Sequence, residues 1–551
     1  MSLCPMRRLI LTIFLYTCSQ IVWGQDAKFW HWKDLEKDGV HGVSLFKAQQ
    51  LLTDLKLKPT PIIIAILDGG IDTAHLQIKP LLWNNPKEIP GNALDDDKNG
   101  YIDDVHGWNF LGNAAGENIN KASDEKSRIY HRYKNEFKQD NLDTASWDTK
   151  KKATFKTWQQ AAAEIVFTDE AADNLSFIKM ARNAVVKMGT ILIREIEDTN
   201  FTTEQLEIYQ PIGKLTADTK ISYLRTMQAL GIDRLTGYHS IIEELNEYIS
   251  GKDQSAVSID TPPEDLRKKI TQDQYENFND QYYGNNNITG PNAKHGTHVA
   301  GLAAGIVDTN FTKSNFSNPI QIMGLRVVPD GDEYDKDIAL GIRYAVNNGA
   351  KIINMSFGKS FSPEQAWVDS AIRYAASKDV LIIHSAGNES YDLNKKSVYP
   401  SPYSNVFKDK AMNMITVGAS SDPVIAESIL TDFSNYGNKI VDVLSPGNKI
   451  FSSLPNQQYG FLNGTSMSAP IISHIAALVR AYFPNLSATE VKAILLQSNW
   501  TPNDSNTLFP IPQKDQSKKL NEISAEGGII NAALSIQNAL LFQRNKKNNT
   551  P

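Results

Sequence analysis

An unbroken apolar run spans residues 62–67, and similar, mostly apolar runs recur at 320–328, 351–355, 380–383, 414–417 and 440–444. Their length and their content of Ile and Val fit strands buried on both faces. Between them apolar residues repeat every three or four positions, as Ile338, Ile342, Ala345 and Val346 do before one strand and residues 366–377 do before the next. That is the spacing of an amphipathic helix. Strand and helix in alternation predict an α/β fold, a doubly wound, mostly parallel sheet flanked by helices. In such sheets ligands bind beyond the carboxyl ends of the strands, which is where Asp68 and Asn388 fall.

The alternation lapses once. From 121 to 285 strand-like runs are absent, and Phe155, Trp158, Ala162 and Ile165, then Ile178, Ala181, Val185, Met188 and Leu192, keep a helical spacing. This stretch reads as an inserted α-helical subdomain whose apolar stripes pack on one another or on the main body. The chain therefore divides into a main domain in two parts, 25–120 and 286–545, the insertion at 121–285, and a Lys- and Asn-rich tail at 546–551 that is expected to fray.

The first residues change this picture. Arg7 and Arg8 precede an apolar run that Ser19 and Gln20 interrupt before it reaches the roughly 20 residues of a spanning helix, and Gly24 offers a small residue for cleavage. Residues 1–24 thus read as a signal peptide, and the mature protein is expected in the periplasm, at the cell surface or outside a bacterial cell. Both cysteines, Cys4 and Cys18, lie inside that signal. An exported chain without disulfides depends on its core and on metal ions. A formal net charge of -6 over 551 residues supplies no basic stripe for nucleic acid.

Four short stretches carry chemistry: LDGGID at 67–72, HGTHVAG at 295–301, SAGNE at 385–389 and GTSMSAP at 464–470. A serine hydroxyl is a weak nucleophile until an imidazole takes its proton, and the imidazole needs a carboxylate to fix its tautomer. In this order, with NMSFG at 354–358, FSNYG at 433–437 and GVSLFKA at 42–48, the stretches resemble the subtilisin family of serine endopeptidases. The resemblance covers nearly everything outside the insertion. It implies that Ser466 attacks, His295 shuttles the proton, Asp68 orients His295, and Asn388 donates to the oxyanion beside the Ser466 amide. It implies broad hydrolysis of protein or peptide substrates through an acyl-enzyme. His298 matches a structural histidine of the family, and GVSLFKA matches the start of a mature catalytic domain.

By the same resemblance Ser356, Phe357 and Gly358 form one wall of the primary specificity pocket. Val398 falls where many relatives have glycine at the pocket floor, so small or medium apolar side chains are favoured, with Glu389 pulling toward basic ones. The loop DDDKNGYIDD at 95–104 offers alternating oxygen donors and a sharp-turning Gly100, as Ca²⁺ prefers. Asp95, Asp97, Asn99, Tyr101, Asp103 and Asp104 form its candidate ligand set, for a structural calcium and no catalytic cofactor. It departs from a hand-type calcium loop in having His106 at position twelve.

Three departures from the family stand out. Asp68 and His295 lie much farther apart than usual, residues 25–41 are too short for a folding-assistant propeptide, and His384 stands where small apolar residues are commoner. His384 is expected to be a packed core residue. A non-enzymatic scaffold would be favoured by a substitution at the four catalytic positions, and none is present. A lipase or esterase expects Gly-x-Ser-x-Gly, which GTSMSAP does not supply.

Overall fold

The computed structural model describes residues 28–139, 142–232, 234, 236–305, 316–403, 410–512 and 514–548. The signal peptide read at 1–24 lies outside them. The chain forms two compact units, one made of the residues up to Ala122 and from Asp265 onward, the other of Ser123–Glu264.

The first unit opens with α1 (Leu45–Asp54), β1 (Ile62–Asp68) and β2 (Gly107–Asn109). The second unit follows as six helices, α2 (Glu125–Phe137), α3 (Thr149–Glu164), α4 (Asp169–Ile196), α5 (Thr203–Ile208), α6 (Lys214–Leu230) and α7 (Tyr238–Val257). It has its own apolar core, in which Val185 and Leu192 of α4 meet Phe201, Leu206, Tyr223, Met227 and Ile241. Phe155 and Trp158 join Phe137 of α2 in a separate aromatic group.

The chain then returns as α8 (Ala293–Ala303), β3 (Ile320–Arg326), α9 (Asp335–Asn347), β4 (Ile352–Met355), α10 (Gln365–Ser377), β5 (Leu381–Ser385) and β6 (Met414–Ser420). It continues with β7 (Val443–Pro446), the hairpin β8 (Ile450–Leu454) and β9 (Gln458–Leu462), α11 (Thr465–Tyr482) and α12 (Ala488–Leu496). It closes with β10 (Asn499–Trp500), the short pair β11 (Phe509–Pro510) and β12 (Ser517–Lys518), β13 (Ile529–Ile530) and α13 (Ala532–Asn548). The main sheet runs β10-β13-β7-β6-β5-β4-β1-β3-β2. It is parallel except where β10 meets β13.

Alternation along β1 explains the layers. Ile64 and Ile66 face a core shared with α1, α8 and α11, and Ala65 and Leu67 face one shared with α9 and α10. With both faces covered, a strand can be apolar on both sides, as β1 is from Ile62 to Leu67. The doubly wound α/β fold is therefore present as read, with β7 starting at Val443 because Gly437 to Val441 form a turn.

Three boundaries differ from the sequence reading. Residues 265–285 belong to the first unit, not to the insertion. Arg267 pairs with Asp337 at 2.6 Å and with Asp273 at 2.8 Å, and Lys336 pairs with Asp273 at 2.7 Å, all buried. These charges neutralise one another inside, as buried ions must. At the other end, α13 runs through the supposed tail to Asn548, with Lys546 Nζ 2.8 Å from Glu490. Lastly, GVSLFKA does not start the fold, because Trp30, His31 and Trp32 are fully buried and Trp30 Nε1 donates to the Asn448 and Lys449 carbonyls.

Candidate active site

Three elements bring the catalytic candidates together at the carboxyl edge of the sheet. Asp68 ends β1 and His295 sits in the first turn of α8. His295 Nδ1 donates to Asp68 Oδ1 at 2.9 Å and Oδ2 at 3.0 Å. The residue after His295 has to be glycine for this approach. A Cβ on Gly296 would lie 2.1 Å from the Gly70 carbonyl and 3.0 Å from Asp68 Oδ1. Farther along α8, His298 Nε2 donates to the Ile450 carbonyl at 2.9 Å, which ties the helix to β8. Burial holds the His298 pKa down at about 3, so this ring stays neutral and structural.

Burial also works against the charged form of His295, but the Asp68 charge and hydrogen bond outweigh it and raise its pKa above the ordinary imidazole value. The His295 side chain is 43% exposed against 4% for Asp68, so water screens part of this attraction. A base tuned in this way is neutral, and able to accept a proton, on the alkaline side of its pKa.

Ser466 is the second residue of α11, whose next turns are almost wholly buried. Its Oγ donates to the Ser356 carbonyl at 3.0 Å, and its own carbonyl accepts from Ser356 Oγ at 2.8 Å. The hydroxyl is thus turned toward Ser356 and not toward His295. In substrate-free enzymes the nucleophile–base bond is commonly loose and tightens in the complex.

Asn388 follows β5 on an exposed turn. Its Oδ1 accepts from the Thr465 amide at 2.9 Å and from Thr465 Oγ1 at 3.0 Å, and Thr465 Oγ1 accepts from the Gly387 amide at 3.0 Å. With the oxygen engaged, the Nδ2 donor is left beside Gly464, 3.2 Å from where a Cβ on that residue would lie. Thr465 is the functional neighbour that sequence reasoning passed over. The signal was a second hydroxyl directly before the nucleophile.

The specificity candidates also converge. A Cβ on Gly358 would lie 3.1 Å from Val398 Cγ1 and 3.8 Å from His384 Nε2. His384 is buried, and its Nε2 donates to the Phe357 carbonyl at 2.9 Å. Its core role therefore includes holding the backbone of the 356–358 wall. Glu389 is engaged by Asn435 Nδ2 at 2.6 Å.

The acidic loop assembles differently from its sequence reading. Glu88, Asp95 and Asp97 bring carboxylate oxygens within 4.8 Å of one another. Asp95 accepts from the Asn99 and Gly100 amides and Asp97 from the Asn99 amide and Asn85 Nδ2, and the other candidates are engaged elsewhere. Asp103 accepts from the Gly91 and Ala93 amides, and Asn99 Oδ1 accepts from the Tyr101 amide. Asp104 holds Tyr344, Asn99 and Asn85, and burial raises its pKa to about 6. The Tyr101 ring packs on Trp108 and Tyr344. Glu88 was missed because it stands upstream of the motif with no spacing to mark it. It is 7% exposed, and its Oε2 is buried without a hydrogen-bond partner. Burial, with the charges of Asp97 and Asp96, pushes its carboxyl up.

A buried carboxylate on an imidazole, a serine at a helix start and an anchored Asn beside it define the serine-hydrolase class on a doubly wound sheet. Residues 60–527 match the profile of the subtilase family, and the chain belongs to that family. It is 34% identical over 238 residues to the cell wall-associated protease of Bacillus subtilis (strain 168), covering 43% of this chain and 24% of that one. It is 30% identical over 305 residues to the major intracellular serine protease of the same organism, covering 52% of this chain and 90% of that one. Thermitase of Thermoactinomyces vulgaris is 33% identical over 202 residues, 36% of this chain and 65% of that one. The chain thus spans about a quarter of the first relative and most of the second. Family and relatives together fix its class as a serine endopeptidase.

Proposed function

We propose that the chain hydrolyses peptide bonds with Asp68, His295 and Ser466 as its triad. The supporting observation is the two-point contact of His295 Nδ1 with Asp68. It leaves Nε2 as the basic nitrogen, free to take the Ser466 proton as Oγ attacks the carbonyl. The tetrahedral oxyanion then accepts from Asn388 Nδ2 and the Ser466 amide, donors that cost no reorganisation because Thr465 has already set Asn388. His295 returns the proton to the leaving amine, and water repeats the cycle on the acyl-enzyme. The N-terminal signal supports export, and among the described residues no helix is long and apolar enough to cross a membrane. Fluorophosphonate labelling of exported and cytosolic fractions, with peptide mapping, tests both readings. The label is expected on the Ser466 peptide, in the exported fraction, of a chain that begins near Gln25. No label on folded protein defeats the triad, and label confined to the cytosol defeats export.

For substrate preference, Val398 against Gly358 supports a short pocket that accepts small or medium apolar side chains. Val398→Gly is expected to raise kcat/KM for a large aromatic side chain relative to alanine by about 10-fold or more. An unchanged ratio on matched peptides removes Val398 from the pocket floor.

A structural calcium fits Glu88, Asp95 and Asp97, since the buried, unpartnered Glu88 Oε2 suits a hard cation. At a hundredfold excess over Kd such an ion stabilises by about 2.7 kcal/mol, so chelation is expected to lower Tm by about 5 °C. Glu88→Gln should abolish that difference. A Tm equal in chelator and in calcium, for the unaltered chain, excludes the ion.

A further inference from the structure

We propose that Arg326 is a positioning residue of the hydrolytic centre, acting through Gly69 to aim the Asp68 carboxylate at His295. The proposal rests on the Asp68–His295–Ser466 reading above. Arg326 ends β3 directly opposite Asp68 in the parallel register. It is fully buried, and among the described residues it has no carboxylate within ion-pair distance. A guanidinium taken out of water in this way is costly unless its donors are satisfied.

Oxygen atoms from separate loops satisfy them. Arg326 Nε donates to the Gly69 carbonyl at 2.9 Å, Nη2 to the Ile119 carbonyl at 2.8 Å, and Nη1 to Asn109 Oδ1 at 3.1 Å and Asn118 Oδ1 at 3.5 Å. Gly290 covers the fork with bare backbone, since a Cβ there would lie 2.3 Å from Nε. The bond to Gly69 sets this arginine apart from a simple staple. Gly69 is gripped through its carbonyl by Arg326 and passes its own amide to Asp68 Oδ1 at 2.7 Å. That fixed donor sets the plane of the carboxylate, whose two oxygens then sit at nearly equal distances from His295 Nδ1. A planar fork with donors in set directions can bind loops in this way, where a point charge on a flexible stem cannot reach them all.

The charged and titratable groups around this relay are Asp68 on β1, Asp72 on the loop beyond it, Lys294 and His298 beside His295 on α8, and Asp337 on α9. Desolvation lowers the Arg326 pKa to about 10, and the Asp337 charge works against that. Arg326 therefore stays charged wherever the enzyme is assayed near neutrality. Losing the aim weakens the bond that raises the His295 pKa, so the acid limb of kcat/KM moves to lower pH.

The test compares Arg326→Lys, Arg326→Gln and, as a control on the staple alone, Asn118→Ala. Each is read for Tm, for kcat and KM across pH on a short peptide, and for the low-field proton resonance of His295 Nδ1–H. Arg326→Gln is expected to lower kcat by about 10- to 100-fold with KM within about 2-fold, and to shift the limb down by about half a unit. Arg326→Lys, whose single ammonium is divided between the Gly69 and Ile119 carbonyls, should move kcat, limb and resonance the same way but less. Asn118→Ala should lower Tm alone. The proposal is overturned if Arg326→Lys keeps kcat and limb at their unaltered values, or if Asn118→Ala moves them equally; Arg326→Lys decides even where Arg326→Gln does not fold. Failure of the unaltered protein to take a fluorophosphonate at Ser466 would instead strike the triad reading itself.

Discussion

Replacing Ser466 with Ala is expected to lower kcat for peptide hydrolysis by about 10⁶-fold. The loss is this large because the triad acts as a unit, and without Oγ neither the His295 base nor the Asp68 carboxylate has a proton to move. What survives is about 10³- to 10⁴-fold over water, from binding and the oxyanion donors. That residue of activity locates the second donor. Adding Asn388→Ala to Ser466→Ala should remove about 10²-fold or more of it, since Asn388 Nδ2 is held ready by Thr465 whether or not the nucleophile is present. The measurement is steady-state kcat on purified protein, with Tm showing that both variants are folded. Ser466→Ala within tenfold of the unaltered enzyme would falsify the assignment of the nucleophile.

Asp68→Asn is expected to cost about 10⁴-fold in kcat while KM stays nearly constant. An amide nitrogen facing His295 Nδ1 donates where the carboxylate accepts, so the ring is driven to the tautomer that carries its proton on Nε2. It can then no longer take the Ser466 proton. The pH profile checks this separately. In the unaltered chain Asp68 raises the His295 pKa against the cost of desolvation, and activity is expected to grow as pH climbs through that value and the imidazole becomes neutral. With the charge gone the pKa falls, so the acid limb of the remaining activity moves to lower pH. An acid limb that stays in place would separate Asp68 from the titration of His295.

Both variants concern residues that were plain in the sequence, for a physical reason. Asp68 ends an apolar run, His295 and Ser466 open helical ones, and their small neighbours are demanded by close packing, as the Gly70 carbonyl beneath Gly296 illustrates. Periodicity and chemistry there point the same way. Residues that act only through tertiary contacts left no such trace. Trp30, His31 and Trp32 form part of the core without any repeating pattern, because an irregular segment buries side chains where the surface accepts them. Arg267, Asp273, Lys336 and Asp337 look like solvated charges until their pairing is seen. In the acidic loop, Asp95, Asp97 and Asp103 all accept from backbone amides, and spacing cannot show that Glu88, upstream of them, holds the buried oxygen without a hydrogen-bond partner.

The chain leaves the first unit after β2 and re-enters it before β3, two strands that are neighbours in the sheet. Both exits are tied to one short stretch. Lys121 bridges to Asp330, and Arg267 pairs with Asp337. During folding, an unstructured insertion would have to close as a coil before β2 could find β3, and entropy slows that search as the loop lengthens. The helical unit has an apolar core of its own. Its contacts are made between helices close in sequence, so it can condense early and turn a long tether into a short bridge. Where the helices condense first, the parallel sheet on which Asp68 and Arg326 come into register has only a short bridge left to close.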